Sequence, residues 1–523
     1  MVFVDSEKVP VRLKLRLLDF NLTLICSIAL LSLSSFNYGL SDQAFASTQA
    51  TDAFTKQFGD FNTNTKKYVL PAVYLSLLNS LKAGTQLIGV FIGSWVSNRY
   101  GRRWCILLMN IYALGSTAVI ISGTNRPQML SGRSLHYVYL GMQLAVIPTF
   151  LVEISPAHLR GGMGVLYWLS IKCGGLLITG IVRVTSNMTD NSAWRIPIGL
   201  IFVIPIIVIL LVWLIPESPR WLILNNRHDD ALVSLVRLRQ PRAKKHISSP
   251  ASTAVLAEFT GLSLHQVALR DGSHSRNFLS IFSPIHCSRT IIVVLLLFFQ
   301  QSTGQSFASQ YSALFVRALH TVNAFSVTLG INAIDIGGIL LCMMSADRVG
   351  RKPILIASSL LQTAALLTMG SLGTADSSIT AAKAGIVAML LLYSFGWSFG
   401  YAPLAYVVAA ELPSPYLREY TLRCAYTVKL IMEFVISFTY PYLEDANEAN
   451  LGGRLGFIYG SIAFLGLVFS VFFVPETRNL ELEELDEKFS KGVFVVSMEE
   501  AGPVALAPLN NREMVEVKSG TAL

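Results

Sequence analysis

Ser97-Asn98-Arg99-Tyr100-Gly101-Arg102-Arg103 joins one apolar stretch to the next, and about 250 residues later Asp347-Arg348-Val349-Gly350-Arg351-Lys352 does the same. Two further pairs keep this order. Glu153-Ile154-Ser155-Pro156 with Arg160 is echoed by Glu411, Pro415 and Arg418, and Pro216-Glu217-Ser218-Pro219-Arg220 by Pro475-Glu476-Thr477-Arg478. Three signatures at matching segment ends predict a chain built as two similar halves. Repeats of this kind, placed between membrane helices, build a central site between two bodies that rock against each other.

Composition agrees with a membrane solvent. Of 523 residues, 52% are hydrophobic and 14% charged, with a mean hydropathy of +0.53. A soluble chain carries roughly 25% charged residues. The formal charge of +9 does not indicate nucleic acid, because the basic residues sit in connecting segments, where they set orientation. Cys26, Cys105, Cys173, Cys287, Cys342 and Cys424 form no CxxC pair and mostly lie in apolar runs. They are expected to be small buried hydrophobes. Met1 to Arg16 is polar and basic, without the pattern of a cleavable leader.

A span needs roughly 20 apolar residues. Twelve are predicted, at about 19–42, 71–96, 104–123, 132–153, 163–185, 195–215, 289–315, 323–345, 353–373, 384–411, 420–442 and 453–474. The expected fold is an all-α membrane protein, with twelve transmembrane helices in two pseudo-symmetric six-helix bundles. The expected organisation is an N-terminal segment 1–18, a first bundle 19–215, a linker 216–288 with short helices, a second bundle 289–474 and a partly disordered tail 475–523. Arg12, Lys14, Arg16, Arg99, Arg102, Arg103, Arg348, Arg351 and Lys352 fall on one face, which predicts that this face and both termini are cytoplasmic. Asn187-Met188-Thr189, a glycosylation acceptor, falls on the other face.

Taken together, these motifs resemble the sugar porter family of the major facilitator superfamily, over about residues 20–490. The marks are Asn98-Arg99-Tyr100-Gly101-Arg102-Arg103, Gly132-Arg133, Glu153 with Arg160-Gly161, Pro216-Glu217-Ser218-Pro219-Arg220-Trp221, Gln300-Gln301-Ser302-Thr303-Gly304, Asp347 with Arg351, and Pro475-Glu476-Thr477. The acidic run Leu480 to Glu487 and the segment Asp42 to Gly59 look like fungal members. The resemblance implies a cytoplasmic gate of Arg99, Gly101, Arg102, Glu153, Arg160 and Glu217, mirrored by Asp347, Arg348, Gly350, Arg351, Glu411, Arg418 and Glu476. Its arginines and carboxylates would clasp neighbouring helices. The plainer alternative is that these charges anchor loops at the headgroups.

A polyol site needs side chains that both donate and accept, with an aromatic face for the C–H side. The resemblance places Gln300, Gln301, Ser306, Tyr311, Asn332 and Tyr406 there. Other positions depart from the family: Trp168 stands where it has Gln, and Lys429 near an expected Asn. Lys172 joins them on a cavity-lining helix. Intramembrane ions are costly unless paired or wet. Lys429 and Glu433 are one turn apart, and Lys82 and Lys172 have Asp42 and Asp335 as candidate partners. If the lysines are unpaired, the pocket is positive and suits an acid.

The family's coupling Asp in span one is displaced here to Asp42, about 100° around a helix. If Asp42 reaches Arg133, proton symport is expected; if Ser41 has replaced the Asp, facilitated diffusion. No Walker loop, metal spacing or catalytic motif occurs, so neither an enzyme nor a cofactor is expected. The expected partners are a sugar or related polyol, a proton in the symport case, and the lipid bilayer, with no nucleic acid and a monomeric protein. The alternatives are a porter of an organic acid or fungal metabolite, and a sugar sensor that does not transport.

Overall fold

The computed structural model describes residues 21–62, 66–156, 160–239, 259–260, 278–283, 286–319, 322–375, 379–413, 417–444, 449 and 451–477. Residues 1–18, most of the expected linker and the tail from 478 lie outside the described residues. Six long helices form the first half: α1 (Leu22–Thr48), α2 (Ala72–Tyr100), α3 (Arg102–Ile121), α4 (Arg126–Ile154), α5 (Arg160–Thr185) and α6 (Ser192–Leu214). Six form the second: α7 (Cys287–Leu319), α8 (Ala324–Val349), α9 (Arg351–Leu372), α10 (Thr380–Glu411), α11 (Arg418–Glu444) and α12 (Leu455–Phe472).

Eleven of the described helices are long and apolar enough to cross a membrane. The remaining one, α11, has 27 residues but carries Lys429 and Glu433 in its middle. These charges lower its hydropathy without shortening it, and its place in the alternation of directions makes it the eleventh crossing. The burial pattern is that of a protein in lipid. Phe91 is 65% and Leu210 69% exposed, while Asp335 is 1% and Lys82 6% exposed. Lipid accepts an apolar exterior, and polar groups turn inward to find partners.

The two halves have separate cores. One cluster of buried apolar side chains runs through α1–α6, from Leu24 to Val212 and on to Leu238 beyond them. Two others are built from α7–α12. The halves meet where α2 lies along α11 and α5 along α8.

Glycine sets two of the geometries that matter. Gly101 and Gly350 join α2 to α3 and α8 to α9 with φ of 99° and 111°, a region that suits glycine. Where α1 crosses α5, Gly39 lies against the Ile171 carbonyl and Gly174 against the Phe36 carbonyl. The face with the Gly101 and Gly350 turns is called the turn face below, and its opposite the loop face.

Several boundaries differ from the sequence expectation. The first helix was expected to end at 42 but continues to Thr48, because Ala44, Phe45 and Ala46 are buried. Asp42 is therefore inside the span. The expected loop 43–70 instead holds a short helix, Asp52–Phe58, and an antiparallel hairpin, β1 (Asp60–Asn62) with β2 (Lys67–Val69). On the turn face, helices Pro219–Leu224 and His228–Arg239 follow α6. Two helices contain a wide π turn: α7 at Phe307–Tyr311, just after Gly304, and α10 at Trp397–Tyr401, just before Pro403. Such turns shift the register of every side chain beyond them and recur at functional sites.

Candidate functional site

Among the described residues, three contacts between largely buried polar groups tie the bundles together at mid-depth. Lys172 of α5 meets Asp335 of α8 at 2.5 Å. Lys82 of α2 lies between Asp42 of α1 at 2.7 Å and Glu433 of α11 at 3.4 Å. Gln310 of α7 donates to both Asp42 oxygens, at 3.2 and 3.1 Å. Lys429 is 3.9 Å from Glu433, one turn along the same helix. Each lysine thus has a carboxylate. The positive pocket considered from sequence does not form, because Lys82, Lys172 and Lys429 are matched by Asp42, Asp335 and Glu433.

The structure does not bring Asp42 to Arg133. Arg133 donates to the Tyr137 hydroxyl at 3.2 Å and lies 4.9 Å over the Phe45 ring. Lys82 takes the place expected for it. The reason is rotational: at position 42 the carboxylate points towards α2 and α7, away from the α4 guanidinium.

Beside the Lys172–Asp335 pair lies a cavity of about 10 Å³, lined by Gln43, Gln305, Ser309, Asn332, Asp335 and their neighbours. That is about the room for one water. Its walls are mostly amides and hydroxyls, with the Lys172–Asp335 ion pair and the apolar Ala308 and Ile331 among them. Asn332 donates to the Thr328 carbonyl at 3.0 Å and keeps its oxygen towards Gly175 and Gln43.

An aromatic stack stands beside the ion pairs. Trp168 of α5 stacks on Tyr406 of α10, with centroids 5.3 Å apart and planes 26° apart. Tyr406 stacks in turn on Tyr426, at 5.8 Å. Lys429 is 5.9 Å from the Tyr406 centroid, and Gln300 donates to the Tyr406 hydroxyl at 3.5 Å. Gln301 donates to Ser306 at 2.6 Å, closing across the break in α7.

Tyr311 does not line this region. It donates to the Ser437 carbonyl at 2.6 Å and stacks on Tyr440 within the second bundle's core. The π turn leaves Gln310 at the interface, where it bonds Asp42, and Tyr311 inside the second bundle. Asp335 was noted in the sequence as a charge but not as a site residue. Its spacing would have found it: it lies one turn beyond Asn332, on the same face.

On the turn face, Arg102 grips Glu153 with two bonds, at 2.9 and 3.0 Å. Glu217 accepts the backbone N–H groups of Arg102 at 2.9 Å, Arg103 at 3.1 Å and Ser218 at 3.0 Å. Burial pushes the Glu217 carboxyl above its ordinary pKa, and these donors pull it back. In the second half, Glu476 accepts from the backbone of Arg351 at 2.9 Å and Lys352 at 3.1 Å. Arg351 is 3.6 Å from Glu411, which also accepts from Thr477 at 2.6 Å. Arg418 is half-buried at the start of α11. Arg99 and Arg348 do not join these clusters; both are exposed on the outer side of the last helical turn before the glycine. The side chains of Arg160 and Asp347 lie outside the described residues. On the loop face, Arg317 of α7 bonds Asp52 and the Ala50 carbonyl, and Asn187 is exposed.

A family model described as "Sugar (and other) transporter" matches residues 26–489. The MFS transporter fmqE of Aspergillus fumigatus is 25% identical over 499 residues, covering 94% of this chain and 91% of the relative. The hexose transporter HXT13 of Saccharomyces cerevisiae is 26% identical, covering 84% of this chain and 78% of the relative. Among solved structures, the proton:xylose symporter XylE of E. coli bound to 6-bromo-6-deoxy-D-glucose aligns with a TM-score of 0.71 and 21% identity, over 90% of this chain and 100% of that one. At that identity the likeness speaks for the fold.

Proposed function

Since the chain belongs to the sugar (and other) transporter family, a family of multi-pass membrane transporters rather than enzymes, we propose that it carries a neutral sugar or related polyol by alternating access. The observation that carries this reading is the wall of the cavity between the bundles. Gln43, Gln305, Asn332, Ser309, Ser312, Thr328 and Ser394 meet there beside the charge-balanced Lys172–Asp335 pair, groups that donate and accept at once, as a polyol requires. Gln300, Gln301 and Ser306 extend that chemistry along α7. Trp168 and Tyr406 supply the flat face against which a sugar's C–H groups rest. In the closed form these two rings cover each other, so a solute gains access to them as the bundles part. The clusters of Arg102, Glu153 and Glu217, and of Arg351, Glu411 and Glu476, hold the turn-face ends of the helices in each half and act as the gate.

The test is an uptake panel in yeast lacking its own hexose uptake, with labelled glucose, xylose, mannitol and quinate. Accumulation of at least one of the neutral solutes is expected. If the protein reaches the surface and only quinate enters, the neutral reading fails in favour of the second one, a carboxylated polyol. That second reading has one observation in its favour: Lys429 is only loosely paired, at 3.9 Å from Glu433.

The turn face, with Arg102, Arg103, Arg351 and Lys352, is assigned to the cytoplasm by its basic residues. Both ends of the twelve-helix run lie on that face, and we propose that the protein works in the plasma membrane as a monomer. Asn187 then lies outside. Wild-type protein from a eukaryotic host is expected to lose mass on glycosidase treatment, and Asn187→Gln to be insensitive. A wild type that carries no glycan after passing through the secretory pathway would count against this orientation.

A further inference from the structure

Among the described residues, three carboxylates lie at the interface of the bundles, with Asp335 the most deeply buried, and their partners differ. Asp42 has a protein donor on each oxygen, Lys82 and Gln310 on one and Gln310 on the other. Glu433 lies between two lysines, with one oxygen towards Lys82 and the other towards Lys429. Asp335 uses one oxygen, Oδ2, for Lys172 at 2.5 Å. Its Oδ1 is buried without a hydrogen-bond partner among the described residues. The same residue lines the cavity that has room for one water.

We propose that Asp335, rather than Asp42, is the carboxylate that takes up and releases a proton during the cycle of this protein, with the Lys172–Asp335 pair as the latch that the proton loosens. An unpartnered carboxylate oxygen beside a water-sized space accepts a proton without first losing a donor from the protein. Asp42 already has a protein donor on each oxygen, and Glu433 would have to be protonated between two ammonium groups. The titratable groups facing Asp335 are few. Lys172 comes from α5 and the Tyr393 phenol from α10. α1 and α7 present the neutral Gln43, Gln305, Ser309 and Ser312, and α9 has its only titratable residues, Arg351 and Lys352, at its turn-face end.

The charge balance is simple. A proton from water adds to Oδ1, and the pair changes from net zero to net +1. That charge stays on Lys172, whose ammonium also lies 5.5 Å from the Trp397 ring centroid. The contact between the bundles falls from ion–ion to ion–dipole, so the bundles separate without first pulling two full charges apart. Loss of the proton restores the latch. The role in a transport cycle rests on the transporter reading above; the protonation itself does not, and it is read without any transported solute.

The experiment is a pH titration of the purified full chain in lipid, followed by infrared difference spectroscopy of the protonated-carboxyl stretch. Wild type is expected to show a titrating band of a buried carboxyl, resolved from the signal of its exposed acids. Asp335→Asn should lose it, while Asp42→Asn and Glu433→Gln keep it. Should D335N not reach the membrane, Asp335→Glu serves instead and is expected to move the band. The proposal is overturned if wild type has no titrating band, if D335N retains it, if D335E leaves it unmoved, or if it disappears in D42N or E433Q. Failure of the uptake panel alone leaves this result standing, and the reverse holds too.

Discussion

Lys82→Met should cost this protein more than removal of either of its acidic neighbours. Lys82 is the one cation shared by Asp42, at 2.7 Å, and Glu433, at 3.4 Å, and its side chain is only 7% exposed. Methionine keeps much of the volume and removes the charge. Two carboxylates from opposite bundles are then left at one interface, with Lys429 at 3.9 Å from Glu433 as the remaining cation. Stripping one partner from a buried ion pair costs about 3–5 kcal/mol, because a charge stays buried without compensation. Here two are exposed to that loss at once. The folded yield in fluorescence-detected gel filtration should collapse, and the heat-stability midpoint of any surviving protein should fall. Asp42→Asn should be milder, since Lys82 keeps Glu433 and Gln310 keeps an amide partner. The decisive comparison is the double variant K82M/D42N, which removes the stranded Asp42 charge and leaves Glu433 facing Lys429. It should recover a large part of the yield lost in K82M. If the double variant is no better than K82M, the defect lies in packing and the electrostatic account is wrong.

The repeat that shows the fold is local, which is why it could be read from sequence. A glycine between two helices, followed by arginine, needs only its neighbours to define a turn. Gly101 and Gly350 both adopt positive φ, and Glu217 and Glu476 both accept the backbone donors just after them. The pairing within the site was much less legible, because it depends on helix rotation. A single residue's displacement carried Asp42 from Arg133 to Lys82. The long lysine side chains could have reached several acids, and only the placement of α2 against α11 and α5 against α8 selects among them. A π turn leaves no mark in apolar periodicity, so the exchange of Gln310 for Tyr311 at the interface could not be seen. Asp335 was within reach of sequence reasoning, and was missed because its charge was weighed apart from its position beside Asn332.

Gly39→Ala is the smallest change expected to break the fold. An alanine Cβ at this position would come 1.7 Å from the Ile171 carbonyl oxygen and 2.6 Å from its carbon. Both are backbone atoms, so no side-chain rotation relieves the clash. α1 and α5 would have to move apart along their crossing, where Gly174 lies as closely against the Phe36 carbonyl. Membrane helices associate through such close backbone approach, without a hydrophobic force to compensate for its loss. Overpacking of a soluble core costs about 1–3 kcal/mol and occasionally more, and a backbone clash of this depth belongs at the upper end. Separating α1 from α5 also pulls on Asp42 and Lys172, which these helices carry to the interface with the second bundle. The same substitution at Gly84 or Gly115 meets nothing within 4 Å, and alanine is favoured over glycine within a helix by about 1 kcal/mol. Gly84→Ala and Gly115→Ala should therefore match or exceed wild type in heat-stability midpoint, while Gly39→Ala falls well below it. Equal midpoints for Gly39→Ala and Gly84→Ala would mean that α1 and α5 do not cross at this distance, and the close packing of the first bundle would have to be redrawn.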